Sequence, residues 1–165
     1  MKTLTLIRHA TANNRQISQA DSERSLSEIG RLEARNIAQQ LQKRGGLPDY
    51  LLCSPTKRTR QTAAILCQTL HLSSRIIHVD DILYSGDLEA ILSCLQGLKM
   101  AQQLFVIGHN PNISHLAHCL CKASQGIMLP PAGVICLEFS TISWNTLSQV
   151  LGRLLFFTEP DHALC

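Results

Sequence analysis

Three stretches of this 165-residue chain place cation-capable side chains where chemistry is often done. An aliphatic run, Leu4 to Ile7, stops abruptly at Arg8-His9. Another, Asp49 to Ser54, leads through Pro55 into Lys57-Arg58-Thr59-Arg60. A third, Gln103 to Ile107, stops at Gly108-His109-Asn110. Any one of these residues alone is well explained as an ordinary surface group. Their coincidence at the same kind of position is what shifts the reading. Two guanidinium groups are forked, permanently charged donors suited to phosphate oxygens. A neutral imidazole can attack phosphorus. Phosphoryl transfer asks chiefly for positioning and for neutralisation of the equatorial oxygens. No Asp or Glu adjoins these residues in sequence, so a metal site is the less attractive use for them. The set suits transfer of a phosphoryl group through a phosphohistidine, with no metal or other cofactor.

The elements that must hold these groups can be read from periodicity and punctuation. Thr3–Ile7 reads as a short buried strand, followed by a polar loop from Thr11 to about Arg24. A helix follows: Ser25 and Glu28 have capping-box spacing, Ile29, Leu32, Ile37 and Leu41 keep near one face, and Gly45-Gly46 supplies a stop. Asp49–Ser54 is a second strand, and Thr56–Leu70 a helix with Pro55 at its first position. Then come a strand at 75–79, a helix over Leu88–Leu98, a strand at 103–109 and a helix over Asn112–Leu120 behind Pro111. Two late strands, 133–139 and 152–158, flank a turn or short helical piece at "SWNTL". Strands alternating with helices imply an α/β fold with a mostly parallel sheet, and the last two strands leave room for an antiparallel edge. In such sheets ligands bind beyond the carboxyl ends of the strands, which is where all three polar stretches fall.

Size and composition set limits. The length implies one domain, and 45% hydrophobic against 16% charged residues implies a globular chain. A net charge of +3 with no block of like charges argues against nucleic acid and for a small anionic target. The seven cysteines, most of them inside apolar runs, read as reduced thiols of a cytoplasmic protein. No apolar run approaches a membrane span or a signal peptide.

The quoted stretches also resemble a known family. "LIRHA" (6–10), "SPTKRTRQTA" (54–63) and "VIGHNP" (106–111) look like the three signatures of the histidine phosphatase superfamily, whose fold is phosphoglycerate mutase-like and three-layered. "ERSLSEIGRLEA" (23–34), "PDYLLCS" (48–54), "LPPAGVICLEF" (129–139) and "GRLLFFTEP" (152–160) resemble its small SixA-like phosphohistidine phosphatase branch in order and spacing. The resemblance implies one domain over 1–160, with 161–165 as a mobile tail. It implies His9 as the nucleophile, Arg8 and Arg58 as the phosphate-clamping arginines, and His109 as the second histidine, which donates to a phosphate oxygen. Helical spacing alone does not choose among Lys57, Arg58 and Arg60; the place of Arg58 after Ser54-Pro55 does. Arg24 and either Asn13 or Asn14 are weaker candidates for lining the pocket. Ala10 stands where most of the superfamily has Gly, a change the SixA-like branch tolerates. Ser25 and Ser27 stand where that branch often has Pro and Thr.

The implied substrate is a phosphohistidine on a protein, such as a phosphorelay component. Mutase-like relatives protonate an alcohol leaving group with a carboxylate. Asp81, Asp87 and Glu89 lie in the corresponding region, but a helix N-terminal role suits them better. Imidazole, with a pKa of roughly 6.5, leaves easily once its other nitrogen is protonated, so a weak or absent acid favours phosphohistidine over esters. Only about thirty residues separate Leu70 from Leu104, which leaves no lid and makes a mutase the poorer reading. A small-molecule phosphomonoester phosphatase is the alternative within the enzyme class. A non-catalytic phosphate-binding module is the alternative outside it. His115, His118, Cys119 and Cys121 can be read as metal spacing, but helix packing is the better account of them.

Overall fold

The computed structural model describes residues 1–141 and 143–161. Its centre is a six-stranded sheet of order β3-β2-β4-β1-β5-β6. The strands are β1 (Lys2–Arg8), β2 (Tyr50–Cys53), β3 (Ile77–Val79), β4 (Gln103–Gly108), β5 (Val134–Phe139) and β6 (Arg153–Thr158). β3, β2, β4 and β1 run parallel, whereas β5 and β6 add an antiparallel edge. This is the expected α/β sheet.

Period-two alternation sorts the parallel strands onto two cores. On one face Leu4, Leu6, Leu104 and Val106 meet α4 (Leu88–Gln96) and α5 (Asn112–Leu120), together with the fully buried Trp144. On the other, Ile7, Leu51, Phe105 and Ile107 meet α1 (Glu28–Arg44) and α2 (Lys57–Thr69). Each fully buried Leu, Ile or Phe stabilises the fold by about 1.5–3 kcal/mol. The result is three layers, helices on both faces of one sheet.

Several local details differ from the sequence reading. Helix α1 is capped by Ser27, whose Oγ accepts from the Gly30 N–H at 3.0 Å, and not by the Ser25–Glu28 pair. Its buried face is Gly30, Glu33, Ala34, Ile37, Ala38 and Leu41, while Ile29 and Leu32 are 56% and 41% exposed. The small residues Gly30 and Ala34 let the helix approach the chain after β1, so the inward face is marked by size more than by hydrophobicity. At Gly30 a Cβ would lie 2.0 Å from the Thr11 carbonyl oxygen, and only glycine fits. Gly45 ends the helix in the left-handed region, as expected. Helix α2 begins at Lys57 with Thr56 as its cap, so Pro55 precedes the helix. A short helix, α3 (Ile82–Ser85), and a 3-10 turn at Asp21–Glu23 are additional. At the far end, the Asp161 N–H donates to Asn36 Oδ1 at 2.9 Å. Residues 162–165, with most of the expected tail, lie outside the described residues.

Among the described residues no helix is long and apolar enough to cross a membrane.

Candidate active site

Strand register brings the three polar stretches together. Arg8 pairs with Gly108, and Cys53 with Ile107, so three adjacent parallel strands end level. The ladder continues one residue further: the His9 N–H donates to the Gly108 carbonyl at 3.1 Å, and the Ser54 N–H to the Ile107 carbonyl at 3.1 Å. His9, Ser54 and His109 therefore leave the same edge of the sheet. The rings of His9 and His109 lie edge to face, 5.1 Å apart.

A cleft of roughly 320 Å³ opens here, lined by Arg8, His9, Asp21, Arg58, Tyr84 and His109, with Leu83, Asn110, Pro111 and Asn112. Arg58 enters from the first turn of α2. Thr59 fixes that turn, its hydroxyl donating to the carbonyls of Ser54 at 2.6 Å and Thr56 at 2.8 Å. The side-on edge of the Arg58 guanidinium faces both imidazoles: Nε donates to His9 Nε2 at 3.2 Å, and Nη2 lies 3.3 Å from His109 Nδ1. Its end-on edge is taken by Asp21, Nη1 donating to the backbone oxygen at 2.6 Å and Nη2 to Oδ2 at 2.8 Å.

These contacts fix the tautomers. His9 Nδ1 lies 2.8 Å from the Ala10 carbonyl, which can only accept, so Nδ1 carries the proton and Nε2 the lone pair. Burial, the largest influence, pushes His9 down to about 4; the Ala10 hydrogen bond opposes this, and the cations of Arg58, Arg8 and Arg24 add to it. His109 is pushed down to about 3, first by burial and then by His9 and Arg58, with Asp21 opposing. Arg58 donates to its Nδ1, so Nε2–H donates to Ser54 Oγ, 2.7 Å away. Both rings are neutral at neutral pH.

Arg8 is held differently. Its Nη1 donates to the Leu129 carbonyl at 3.0 Å, which also accepts from Asn110 Nδ2 at 2.9 Å. Its Nε is buried and has no partner among the described residues, a donor that costs free energy unless an acceptor arrives. The loop 129–133 backs the Arg8-His9 pair: the Ala132 N–H donates to the His9 carbonyl and the Arg8 N–H to the Gly133 carbonyl. Ala132 adopts φ 55 there, which costs a non-glycine residue roughly 1–2 kcal/mol. Behind His9, buried Glu33 on α1 accepts from the Thr11 N–H at 2.8 Å and from the Thr11 hydroxyl at 2.9 Å.

Arg8, His9, Arg58 and His109 thus converge. Arg24 reaches the site indirectly, its Nη1 donating to Asp21 Oδ1 at 3.0 Å, and it does not line the cleft. Asn14 is exposed and away from the lining; Asn13 is also exposed, and its amide donates to Ser25 Oγ and the Leu26 carbonyl. Lys57 and Arg60 face a wider depression of roughly 670 Å³ beside the cleft, with Glu23, Gln61, Ser74 and Val79. Asp87 caps α4, its Oδ1 accepting from the Ala90 N–H at 2.8 Å. Neither it nor Asp81 nor Glu89 lines the cleft. The carboxylate that does, Asp21, was not singled out by the sequence reading; its spacing of three from Arg24 was the one available signal. Tyr84, edge to face with His109 at 5.6 Å, was missed too. Among the described residues no three His, Cys, Asp or Glu side chains are grouped to hold a metal ion. His118 instead lies 2.9 Å from the Ile127 carbonyl through Nε2.

The family model of the histidine phosphatase superfamily (branch 1) matches residues 4–83. An uncharacterized protein of Picosynechococcus is 30% identical over 98% of both chains. An uncharacterized chloroplastic protein of Arabidopsis thaliana is 39% identical over 99% of this chain and 80% of its own. This chain belongs to the histidine phosphatase superfamily. Its SixA-like branch is shown by the structure of SixA from Nakamurella multipartitia, which superposes with a TM-score of 0.80 at 27% identity over 96% of each chain. The expected fold and family are therefore both met. This SixA-like protein is a phosphatase, a hydrolase of phosphoryl groups, and its cleft offers cationic and neutral imidazole groups in the arrangement that such chemistry uses.

Proposed function

We propose that this phosphatase removes phosphate from phosphohistidine on a protein, such as a phosphorelay component, through a phosphohistidine of its own and without a metal. The observation that carries the reading is the tautomer of His9. A neutral ring, protonated at Nδ1, presents Nε2 as a nucleophile beside the guanidinium of Arg58.

In the first step Nε2 of His9 attacks phosphorus in line, and the bond from phosphorus to the substrate nitrogen breaks. Arg58 exchanges its contacts with imidazole nitrogens for phosphoryl oxygens, which are far better acceptors. Arg8 supplies the unpartnered Nε. The arriving dianion favours a proton on His109 Nδ1, which then donates to a phosphoryl oxygen. Water hydrolyses the phospho-His9 intermediate in the second step. We assign the catalytic roles to His9, Arg8, Arg58 and His109 and place the activity on one domain, residues 1–160. The six described cysteines form no disulfide, which supports a reducing, cytoplasmic setting.

The test is a rapid-quench assay with a radiolabelled phosphohistidine protein, in EDTA, on the wild type and on His9→Ala. Acid-labile, base-stable label should accumulate on the wild type and decay to phosphate, and should be absent from the variant. Equal behaviour of the two proteins would overturn the assignment in favour of a phosphate-binding module. Faster turnover of a phosphomonoester than of the phosphohistidine protein would favour the small-molecule alternative.

A further inference from the structure

Asp21 is the one carboxylate lining a cleft otherwise built for an anion, among the described residues. Burial pushes its pKa up, but the hydrogen bonds from Arg24 and Arg58 and their charges outweigh this and hold it below the ordinary value. It stays ionised, so it cannot protonate a leaving group. Its side chain is 36% exposed, so it also meets whatever enters the cleft. Arg58 needs a partner on its end-on edge to stay aimed at His9, and the Asp21 backbone oxygen already serves part of that need. The charge on the side chain calls for a further explanation, since an anion beside an incoming dianion is a cost.

We propose that Asp21 selects the leaving group, stabilising the protonated ring of an incoming phosphohistidine and opposing leaving groups that depart as oxyanions. The proposal rests on the phosphohistidine reading above and adds a specificity-determining residue to it. In-line attack by His9 puts the leaving group on the opposite side of phosphorus, toward the mouth of the cleft. A phosphohistidine ring leaves well only when its distal nitrogen carries a proton. The carboxylate accepts a hydrogen bond from that N–H and favours the cationic ring. As Nε2 of His9 forms its bond to phosphorus, the electron pair of the breaking P–N bond returns to the ring. The ring departs as neutral imidazole and keeps its distal proton, so no proton passes to Asp21. A phosphoester instead develops negative charge on oxygen at the same place, and the carboxylate repels it.

The groups facing Asp21 are Arg24 from the same turn, Arg58 from α2 and His109 from the end of β4. The hydrogen bonds and charges of Arg24 and Arg58 hold the Asp21 carboxylate below its ordinary value, so it does not switch near neutral pH. The selection is therefore permanent.

The test compares Asp21→Asn with the wild type on a phosphohistidine peptide and on p-nitrophenyl phosphate, with kcat and kcat/KM both followed against pH. Asn removes the charge and leaves the backbone contact to Arg58. The ratio of kcat/KM for the peptide over the ester should fall at least tenfold in the variant. The alkaline limb of kcat for the peptide, set by its ring in the bound complex, should move to lower pH. A merely structural loss of Arg58 alignment would lower both substrates equally and leave that limb in place, which would overturn the inference alone. A wild type that hydrolyses the ester but not the peptide would overturn the phosphohistidine reading together with it. Asp21→Ala, which also removes the side-chain contact to Arg58, should lower both rates further while keeping the reduced ratio; restoration of the wild-type ratio in that variant would count against a role for charge.

Discussion

The Nε–H of Arg58 rests on the Nε2 lone pair of His9 at 3.2 Å. A guanidinium cannot give up its proton and a carbonyl cannot supply one, so Arg58 on one side and Ala10 on the other leave the ring one neutral form. The nucleophile is prepared before substrate arrives.

Stability should fall in acid for a defined reason. His9 and His109 are pushed down to about 4 and about 3, mainly by burial, whereas both titrate at about 6.5 when unfolded. Above that value neither state binds the protons and no penalty exists. As pH falls toward 4 the unfolded chain takes protons that the native state refuses, so stability declines and then levels off. His9 alone contributes on the order of 3 kcal/mol to the decline. Urea midpoints between pH 7 and 4 should show it, and His9→Asn should flatten the slope.

Ser54→Ala should separate binding from alignment. The hydroxyl receives the Nε2 proton of His109 at 2.7 Å, and its loss frees the ring to turn. Stability should fall by about 1 kcal/mol, as for one hydrogen bond. The kcat should fall roughly tenfold, equivalent to about 1.4 kcal/mol of barrier, with KM little changed. Steady-state kinetics beside a denaturation curve would check both.

Glu33 is predicted to hold the chain beyond His9. It is 4% exposed and satisfies both donors of Thr11. Glu33→Ala leaves a partly buried N–H without its acceptor and should cost about 1 kcal/mol or more. Gly30→Ala drives a methyl into the Thr11 carbonyl and should act on the same loop from the other side. The double variant should lose less than the sum of the two, since they share one target. Thermal unfolding of the four proteins gives the cycle.

Oxyanion binding should take up protons. With His109 neutral in the free site, vanadate or phosphate restores charge to its Nδ1, and the uptake should approach one proton at pH 7. Calorimetry in buffers of different ionisation enthalpy measures it directly. His109→Asn should remove the uptake while retaining weaker binding through Arg8 and Arg58.

Much of this site was legible because parallel strands end in a known direction. Arg8-His9 and Gly108-His109 close aliphatic runs, and a shared register needs only that β1 and β4 be neighbours. What stayed hidden was set by contacts between distant segments. Asp21 sits in a loop with no periodic pattern, and it is Arg58, thirty-seven positions away, that ties it to the catalytic groups. The inward face of α1 was misjudged for a related reason. Gly30 and Ala34 face inward because backbone must come close there, so Ile29 and Leu32 are left outside. Hydrophobicity reports what can be buried, and it does not report where space is short.

The strand order has a further consequence for how the chain is made. β4 lies between β1 and β2, yet it is synthesised after both, from Gln103 onward. Until it emerges from the ribosome, β1 and β2 lack the strand that lies between them, and the edge each turns toward it stays open. Assembly must wait for the central strand, and that same strand delivers His109. A nascent chain interrupted before this point lacks both the keystone of the sheet and half of its imidazole pair, so translation yields no partly competent product. The waiting stretch is also where an unfinished chain is most open to edge pairing with a neighbour or to capture by a chaperone.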